Sequence, residues 1–284
     1  MHTTELFRRE RVTIIGVLNL TPDSFSDGGR FVRASGGPPD TLAVSAEARA
    51  QISAGVHILD VGGESTRPGA SPVAIEDEIA RTQPVIEALA KAVAKPISID
   101  TRRARVADAA LDAGATIVND VSGGLHDPAL LEVAARRGAL LILGHLRGEP
   151  VTMQRAIAFS DVVSEVCDEL AASVARAVAA GVARARIVVD PGLGFGKTTA
   201  QSVALLANLG ALRARLGVPV LVGPSRKSFL GDLTSEPDAA RRDLATHAAC
   251  AIAVFAGADA VRVHDVAGAR IATQIALALR AARR

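Results

Sequence analysis

The chain has 284 residues, of which 49% are hydrophobic and 22% charged, with a formal net charge of +2. That is enough apolar sequence for a sizeable core, and so small a charge excess implies neither a nucleic-acid nor a membrane-surface partner. Aromatics make up only 2%, with no Trp and no Tyr, so Ala, Val, Leu and Ile must build the core.

The N-terminus has no apolar stretch of signal-peptide type, and no segment has the length of a membrane span, so a cytoplasmic protein is expected. Apolar runs and helical patterns then alternate to the end of the chain. Residues 12–18 read as a strand that stops at Asn19, and a loop rich in Gly, Pro, Asp and Ser leads to helix 41–54. Strand 56–61 runs into GGESTRPG and helix 75–94; His57 inside it reads as a core or interface residue. Strand 96–99 ends at Asp100 before helix 104–113, and strand 116–118 ends at Asn119 before helix 128–137. Strand 139–143 precedes His145, the loop HLRGEPVTMQ and helix 161–180. The β-branched run 187–189 stops at Asp190, followed by the Gly-rich PGLGFGK and helix 200–216. Strand 218–222 leads through GPSRKS to helix 239–256, and strand 260–263 ends at His264 before helix 267–282. Cys167 and Cys250 fall in Ala-rich helical patterns and read as small buried hydrophobes.

Eight strand–helix units imply a parallel sheet with helical crossovers. Their number, and the polar or Gly-rich sequence after almost every strand, favour a (β/α)8 TIM barrel over an open doubly wound sheet. No linker or composition break divides the chain, so one domain over residues 1–284 is expected. The 31–40 loop, with Gly36-Gly37-Pro38-Pro39, has the composition of a lid edge.

A barrel gathers its eight strand C-termini around one mouth, so the loop contents can be read as one site. Asp100, Asn119 and Asp190 are acceptors suited to the amino-pyrimidine edge of a flat heterocycle, and Lys227 is a donor to a ring atom. Arg67, Arg262 and His264, with the N–H groups of Gly62-Gly63 and Gly28-Gly29, suit an anion. If the anion is a phosphate, a hard divalent cation belongs beside it, near Asn19, Asp23 and Asp27. Each residue also has a plainer reading: Asn119-Asp120 as a turn, Asp100-Thr101 as a helix cap, Arg226-Lys227 as a solvated turn. A P-loop is excluded, because Pro191 stands where the first Gly before Gly196-Lys197-Thr198 would be required. Metal-binding Cys/His spacing and a nucleophile elbow are absent from the sequence.

GVLNLTPDSFSDGG (16–29) and DVGGESTRPGA (60–70) resemble the first- and second-loop signatures of the dihydropteroate synthase family, and SIDT, NDVSGG, DPGLGFGK, SRKSFLG and RVHDV resemble the later ones in order. The resemblance spans the chain from about residue 12 to the end and implies a (β/α)8 barrel that joins 4-aminobenzoate to 7,8-dihydropterin-6-ylmethyl diphosphate, with Mg2+ as cofactor and commonly as a homodimer through late helices. It implies a pterin pocket at Asp100, Asn119, Asp190, Lys227 and Arg262. The diphosphate would lie at Asn19, Arg262 and His264, with Mg2+ near Asn19. The 4-aminobenzoate would lie at Thr66, Arg67, Pro68, Phe195, Lys227 and Ser228. Asp100, Lys227 and Arg262 are the residues expected to carry catalysis. Two departures stand out. Gly144 occupies a position where the family commonly has a Met lining the pterin pocket, so either space or a compensating movement is expected there, and the 30–40 loop is long. The rival readings are a methyltetrahydrofolate-binding methyltransferase barrel and a pterin-binding paralogue without catalysis.

Overall fold

Eight strands form the inner wall: β1 (Thr13–Asn19), β2 (Ile58–Gly62), β3 (Ile97–Asp100), β4 (Ile117–Asp120), β5 (Leu140–Gly144), β6 (Ile187–Asp190), β7 (Leu221–Val222) and β8 (Ala260–Val263). The computed structural model describes residues 6–7, 10–21, 31, 39–67, 69–155 and 157–283. The expectations on Asp23, Asp27, Gly28, Gly29, Pro68 and the 32–38 part of the lid-edge loop lie outside these residues. All strand pairs are parallel, in the order β6-β5-β4-β3-β2-β1-β8-β7. The order runs around the ring without the reversal of a doubly wound sheet. A bridge between Val189 and Val220, with the Val189 N–H donating to Pro219 O at 3.0 Å, brings β6 against the β7 side and closes the (β/α)8 barrel. The predicted strand 218–222 is shortened to two residues; Pro219 inside it has no N–H for a ladder.

The helices are α1 (Thr41–Ala54), α2 (Ile75–Ala92), α3 (Ala104–Asp112), α4 (Ala129–Arg137), α5 (Val162–Ala179), α6 (Thr199–Ala207), α7 (Leu209–Leu216), α8 (Ser228–Thr234), α9 (Asp243–Ala256) and α10 (Val266–Ala281). Local chemistry sets their ends. The Asp40 carboxylate accepts from the N–H groups of Leu42 and Ala43 at the start of α1, and Gly55 takes φ 99° at its end. Thr198 and Gln201 form a capping box on α6. The predicted helix 200–216 is broken at Asn208, whose φ of −110° and ψ of 20° leave the helical region while its side chain donates to Ala204 O at 2.8 Å. Helix α8 has no counterpart in the sequence reading, and the predicted helix 239–256 opens as a 3-10 turn, Ala239–Arg241, before α9. Strand 2 begins after His57, whose Nδ1 accepts the Ile14 N–H at 3.0 Å, so this residue ties β1 to the entry of β2.

Burial follows the period of two that a strand imposes. Outward residues such as Ile14, Leu59, Ile99, Val118, Leu141 and Val189 join the larger core beneath the helices. The inward set, including Ile15, Ile58, Ile117, Ile142, Val188 and Ala260, forms a smaller core with Leu6 and Phe7. Two residues further along each of five of these strands, on the same inner face, stand Asp60, Asn119, Gly144, Asp190 and Arg262. The apolar inner face thus turns polar at the C-terminal rim.

Candidate active site

Arg262 organises the floor of the mouth. Its Nε donates to Asp60 Oδ2 and its Nη2 to Asp100 Oδ2, each at 2.6 Å. Asn119 Nδ2 lies 3.4 Å from the same Asp60 oxygen. Asp190 Oδ1 accepts the Gly192 N–H at 2.8 Å. The Lys227 ammonium donates to Leu193 O and stands 3.8 Å from the centroid of the Phe195 ring, a cation–π contact. Asp60 Oδ1 and Asp100 Oδ1 are buried and receive no hydrogen bond from the described residues. Asp100, Asn119, Asp190, Phe195, Lys227 and Arg262 line one cavity. A wider cleft continues from it past Asn19, Thr66, Arg67, Ser228 and His264. Of the residues that the resemblance assigns to the pterin, diphosphate and 4-aminobenzoate, all but Pro68 line one of these two spaces, whereas Gly62 and Gly63 line neither.

Three carboxylates, Asp60, Asp100 and Asp190, face two cations, Arg262 and Lys227. Negative charge is in excess, so one carboxylate gains by holding a proton. Burial pushes Asp100 up to about 7 against the pull of Arg262, and the neighbouring Asp60 adds to the rise. Burial also raises Asp190, opposed by Lys227, while burial lowers Lys227 to about 8, opposed by Asp190. For Arg262 the desolvation cost is outweighed by Asp60 and Asp100, which hold it firmly charged.

Across the mouth, burial and then Arg226, Arg262 and Arg67 hold His264 well below the usual imidazole range, so the ring is neutral. Ser225 Oγ accepts the His264 backbone N–H at 3.2 Å and lies 2.8 Å from Nδ1 of the same residue. On the other side of the ring, the Asn19 amide nitrogen stands 3.4 Å from Nε2.

The plainer readings divide. Asp120 is a turn residue: its carboxylate accepts from Ser122 N (2.8 Å), Ser122 Oγ (2.7 Å) and Gly124 N (2.6 Å). Asp100 is not a cap, because Thr101 Oγ1 takes the Arg103 N–H and Asp127 takes that of Ala104. The Arg226-Lys227 turn is not solvated: Arg226, at φ 58°, pairs with Asp243 at 2.7 Å, and Lys227 points inward. At Gly144 a Cβ would lie 2.6 Å from Val121 Cα and 2.8 Å from Val121 O. The expectation of free space does not hold, for the Val121 backbone fills the place of a side chain.

Sequence reasoning missed Asp60 as a site residue, although its place two residues after inward Ile58 marks the face it shares with Asp100 and Arg262. It also missed Lys197, 4% exposed, whose ammonium donates to Phe195 O at 2.9 Å, stands 2.9 Å from His145 Nδ1 and braces the loop that carries Phe195. Among the described residues no cluster of three or more His, Cys, Asp or Glu side chains is arranged to hold a metal ion. What the mouth does offer is the Asn19 amide oxygen, 3.7 Å from the position of a Cβ on Gly62. One neutral oxygen fits a cation such as Mg2+ that keeps most of its waters and takes its other ligands from phosphate.

Residues 15–264 match the family described as pterin binding enzyme. A dihydropteroate synthase from Synechocystis is 47% identical over 258 residues, covering 90% of this chain and 86% of that protein. One from Bacillus subtilis is 40% identical over 269 residues, covering 94% and 88%. A solved structure of Yersinia pestis dihydropteroate synthase with a sulfonamide drug superposes with a TM-score of 0.90 at 38% identity, covering 96% of each chain. One of the Xanthomonas albilineans enzyme with 4-aminobenzoic acid has a TM-score of 0.86 at 40% identity, covering 96% of this chain and 94% of that one.

Proposed function

Because the chain belongs to the dihydropteroate synthase family of pterin-binding enzymes, we propose that it joins 7,8-dihydropterin-6-ylmethyl diphosphate to 4-aminobenzoate in the two adjoining spaces of its barrel mouth. It is an enzyme, a transferase of folate synthesis. The observation that carries the proposal is the Asp60–Arg262–Asp100 cluster, with two buried carboxylate oxygens still open to a donor. An amino-pyrimidine edge supplies such N–H donors in pairs.

In this reading the pterin lies in the inner cavity, with its nitrogen-rich edge on Asp100, Asn119 and Asp190, Lys227 at a ring acceptor and Arg262 along the ring. The methylene C–O bond breaks first, and pyrophosphate leaves with the electron pair. The positive charge left behind is delocalised into the ring, where Asp100 and Asp190 stabilise it electrostatically. Arg262 and the His264 imidazole hold the leaving oxygens. Asn19 would hold Mg2+ beside the diphosphate, where the cation would supply further charge stabilisation to the leaving group. Thr66, Arg67, Phe195 and Ser228 place the aromatic amine, which is neutral at pH 7 and needs positioning more than activation. Its nitrogen forms the new C–N bond and then loses a proton. The alternative of a paralogue without catalysis requires an interrupted site, whereas Asn19, Asp100, Lys227, Arg262 and His264 all line the mouth.

The test is pyrophosphate release that depends on 4-aminobenzoate. Asp100→Asn is expected to lower turnover about a hundredfold or more while changing pterin affinity far less; equal losses in both would remove the role given to Asp100. We further read the chain as one cytoplasmic domain over residues 1–284 and as a homodimer. No described helix is long and apolar enough to cross a membrane. Exposed Leu244 and Ile252 on α9, and Ile271, Ile275 and Leu279 on α10, provide apolar late-helix surface for a second copy.

A further inference from the structure

The segment after β2, which carries Thr66 and Arg67, is held by charges that this chemistry does not use. Glu64 is 9% exposed, and its two oxygens are divided between two arginines. Oε1 accepts from Arg103 Nη2 at 2.8 Å and from the Val73 N–H at 3.1 Å. Oε2 accepts from Arg102 Nη2 at 3.2 Å. Arg103 turns its other nitrogen to Glu78 on α2, at 2.8 Å, and so stays within the packed wall. Arg102 is 4% exposed, yet its Nη1 leaves that wall and donates to Glu149 Oε2 at 2.6 Å, in the loop after β5. His126 Nδ1 lies 3.4 Å from both Arg102 Nη1 and Glu149 Oε1. Beside Glu149, Pro150 O accepts the Gly69 N–H at 3.1 Å.

We propose that Arg102 is a positioning residue for the second substrate: together with Glu149 it clasps the β5 loop onto the β2 loop and so fixes where Thr66 and Arg67 stand. This rests on the placement of 4-aminobenzoate beside those two residues. The arrangement is costly for a purely structural arginine. Arg102 Nε is buried with no partner among the described residues, while the two terminal nitrogens reach carboxylates in different loops. The two arms also differ. The Glu64 side chain is 5% exposed and that of Glu149 is 56% exposed. The inner arm is therefore shielded from solvent, whereas the outer arm is open to water and salt and can part without unfolding the loop. A clasp with one fixed and one releasable arm lets the β2 loop settle over a ligand and open again.

The test compares wild type with Glu149→Gln, which keeps the shape and removes the charge, and with Arg102→Lys, which can serve one carboxylate at a time. Glu149→Gln is expected to raise KM for 4-aminobenzoate about threefold, with the Kd for the pterin diphosphate within twofold and the unfolding midpoint unchanged. Arg102→Lys should raise the same KM at least as much. Raising KCl from 50 to 300 mM should move the wild-type KM toward that of Glu149→Gln, whose own salt response reports only screening of the substrate carboxylate. Backbone amide exchange over residues 64–73 should quicken in both variants, and this readout does not need turnover. Unchanged exchange in both variants overturns the clasp even if the wild type proves to have no synthase activity. Unchanged exchange salt-for-salt, a KM within twofold of wild type, or an equal rise in KM and in pterin Kd would overturn it in an active enzyme.

Discussion

Replacing Asp60 by Asn tests whether the floor of the mouth is governed by an excess of carboxylates. Asp60 is wholly buried and accepts from Arg262 Nε at 2.6 Å. Removing one partner of a buried pair costs about 3–5 kcal/mol. Here Asp100 remains as a counter-ion and the amide oxygen still accepts from Nε, so a loss of about 2 kcal/mol in urea unfolding is expected. The second effect is on Asp100, which Asp60 helps to push up to about 7. Like charges about 5 Å apart repel by about 3 kcal/mol at an effective dielectric of 20, or about two pH units. Allowing for relaxation, the acid limb of kcat/KM should move down by about one unit. Linkage gives the sign for stability. A carboxyl raised from 3.8 to about 7 contributes stability that is full below 3.8 and is lost as pH rises through 7. Lowering its pKa shrinks that contribution, so the variant should lose more stability at pH 5 than at pH 8. An acid limb that stays in place, with a stability loss equal at both pH values, would refute the charge argument even if activity fell.

Two further substitutions probe the walls of the site. Gly144→Ala places a methyl within 2.6 Å of Val121 Cα, so the backbone must shift; a destabilisation of about 1–3 kcal/mol and weaker pterin binding should appear in denaturant midpoints and calorimetry, and a neutral variant would show that the β4 loop yields freely. Lys197→Met removes the donor to Phe195 O, and KM for 4-aminobenzoate should rise severalfold, on the order of 1 kcal/mol, with pterin affinity kept. Burial lowers Lys197 from 10.5 to about 7, so the folded state holds fewer protons across that window and wild-type stability should gain with rising pH relative to the variant. A parallel pH dependence of the two proteins would show Lys197 to be ordinary.

The barrel and the rim were legible because both depend on local patterns. Alternating apolar positions mark the inner face of a strand, and Asn119, Asp190 and Arg262 each stand two residues past an inward Ile, Val or Ala. What stayed hidden depends on pairing across the ring. Nothing within ILDVG says that Asp60 meets a guanidinium 202 residues away. Nor does SIDTRR show that Arg102 reaches Glu149, 47 residues on. The break at Asn208 and the short β7 were missed for another reason: the helical period continues through one, and a β-branched run continues past Pro219 in the other. In both places a single backbone group decides, and hydrophobic pattern carries no information about it.

Closure of the barrel through Val189 and Val220 makes the ring mechanically uneven. Seven of its eight seams are laddered over two or more rungs, and the eighth is closed by one bridge. A hoop joined this way takes up strain at its clasp. Asp190 lies next to that bridge on one side, and Gly223 and Lys227 follow it on the other. A change in the girth of the ring would therefore be felt first as a change in the gap between the carboxylate and the ammonium, so that the most sparsely bonded seam of the fold and the finest adjustment of the site fall on the same few bonds.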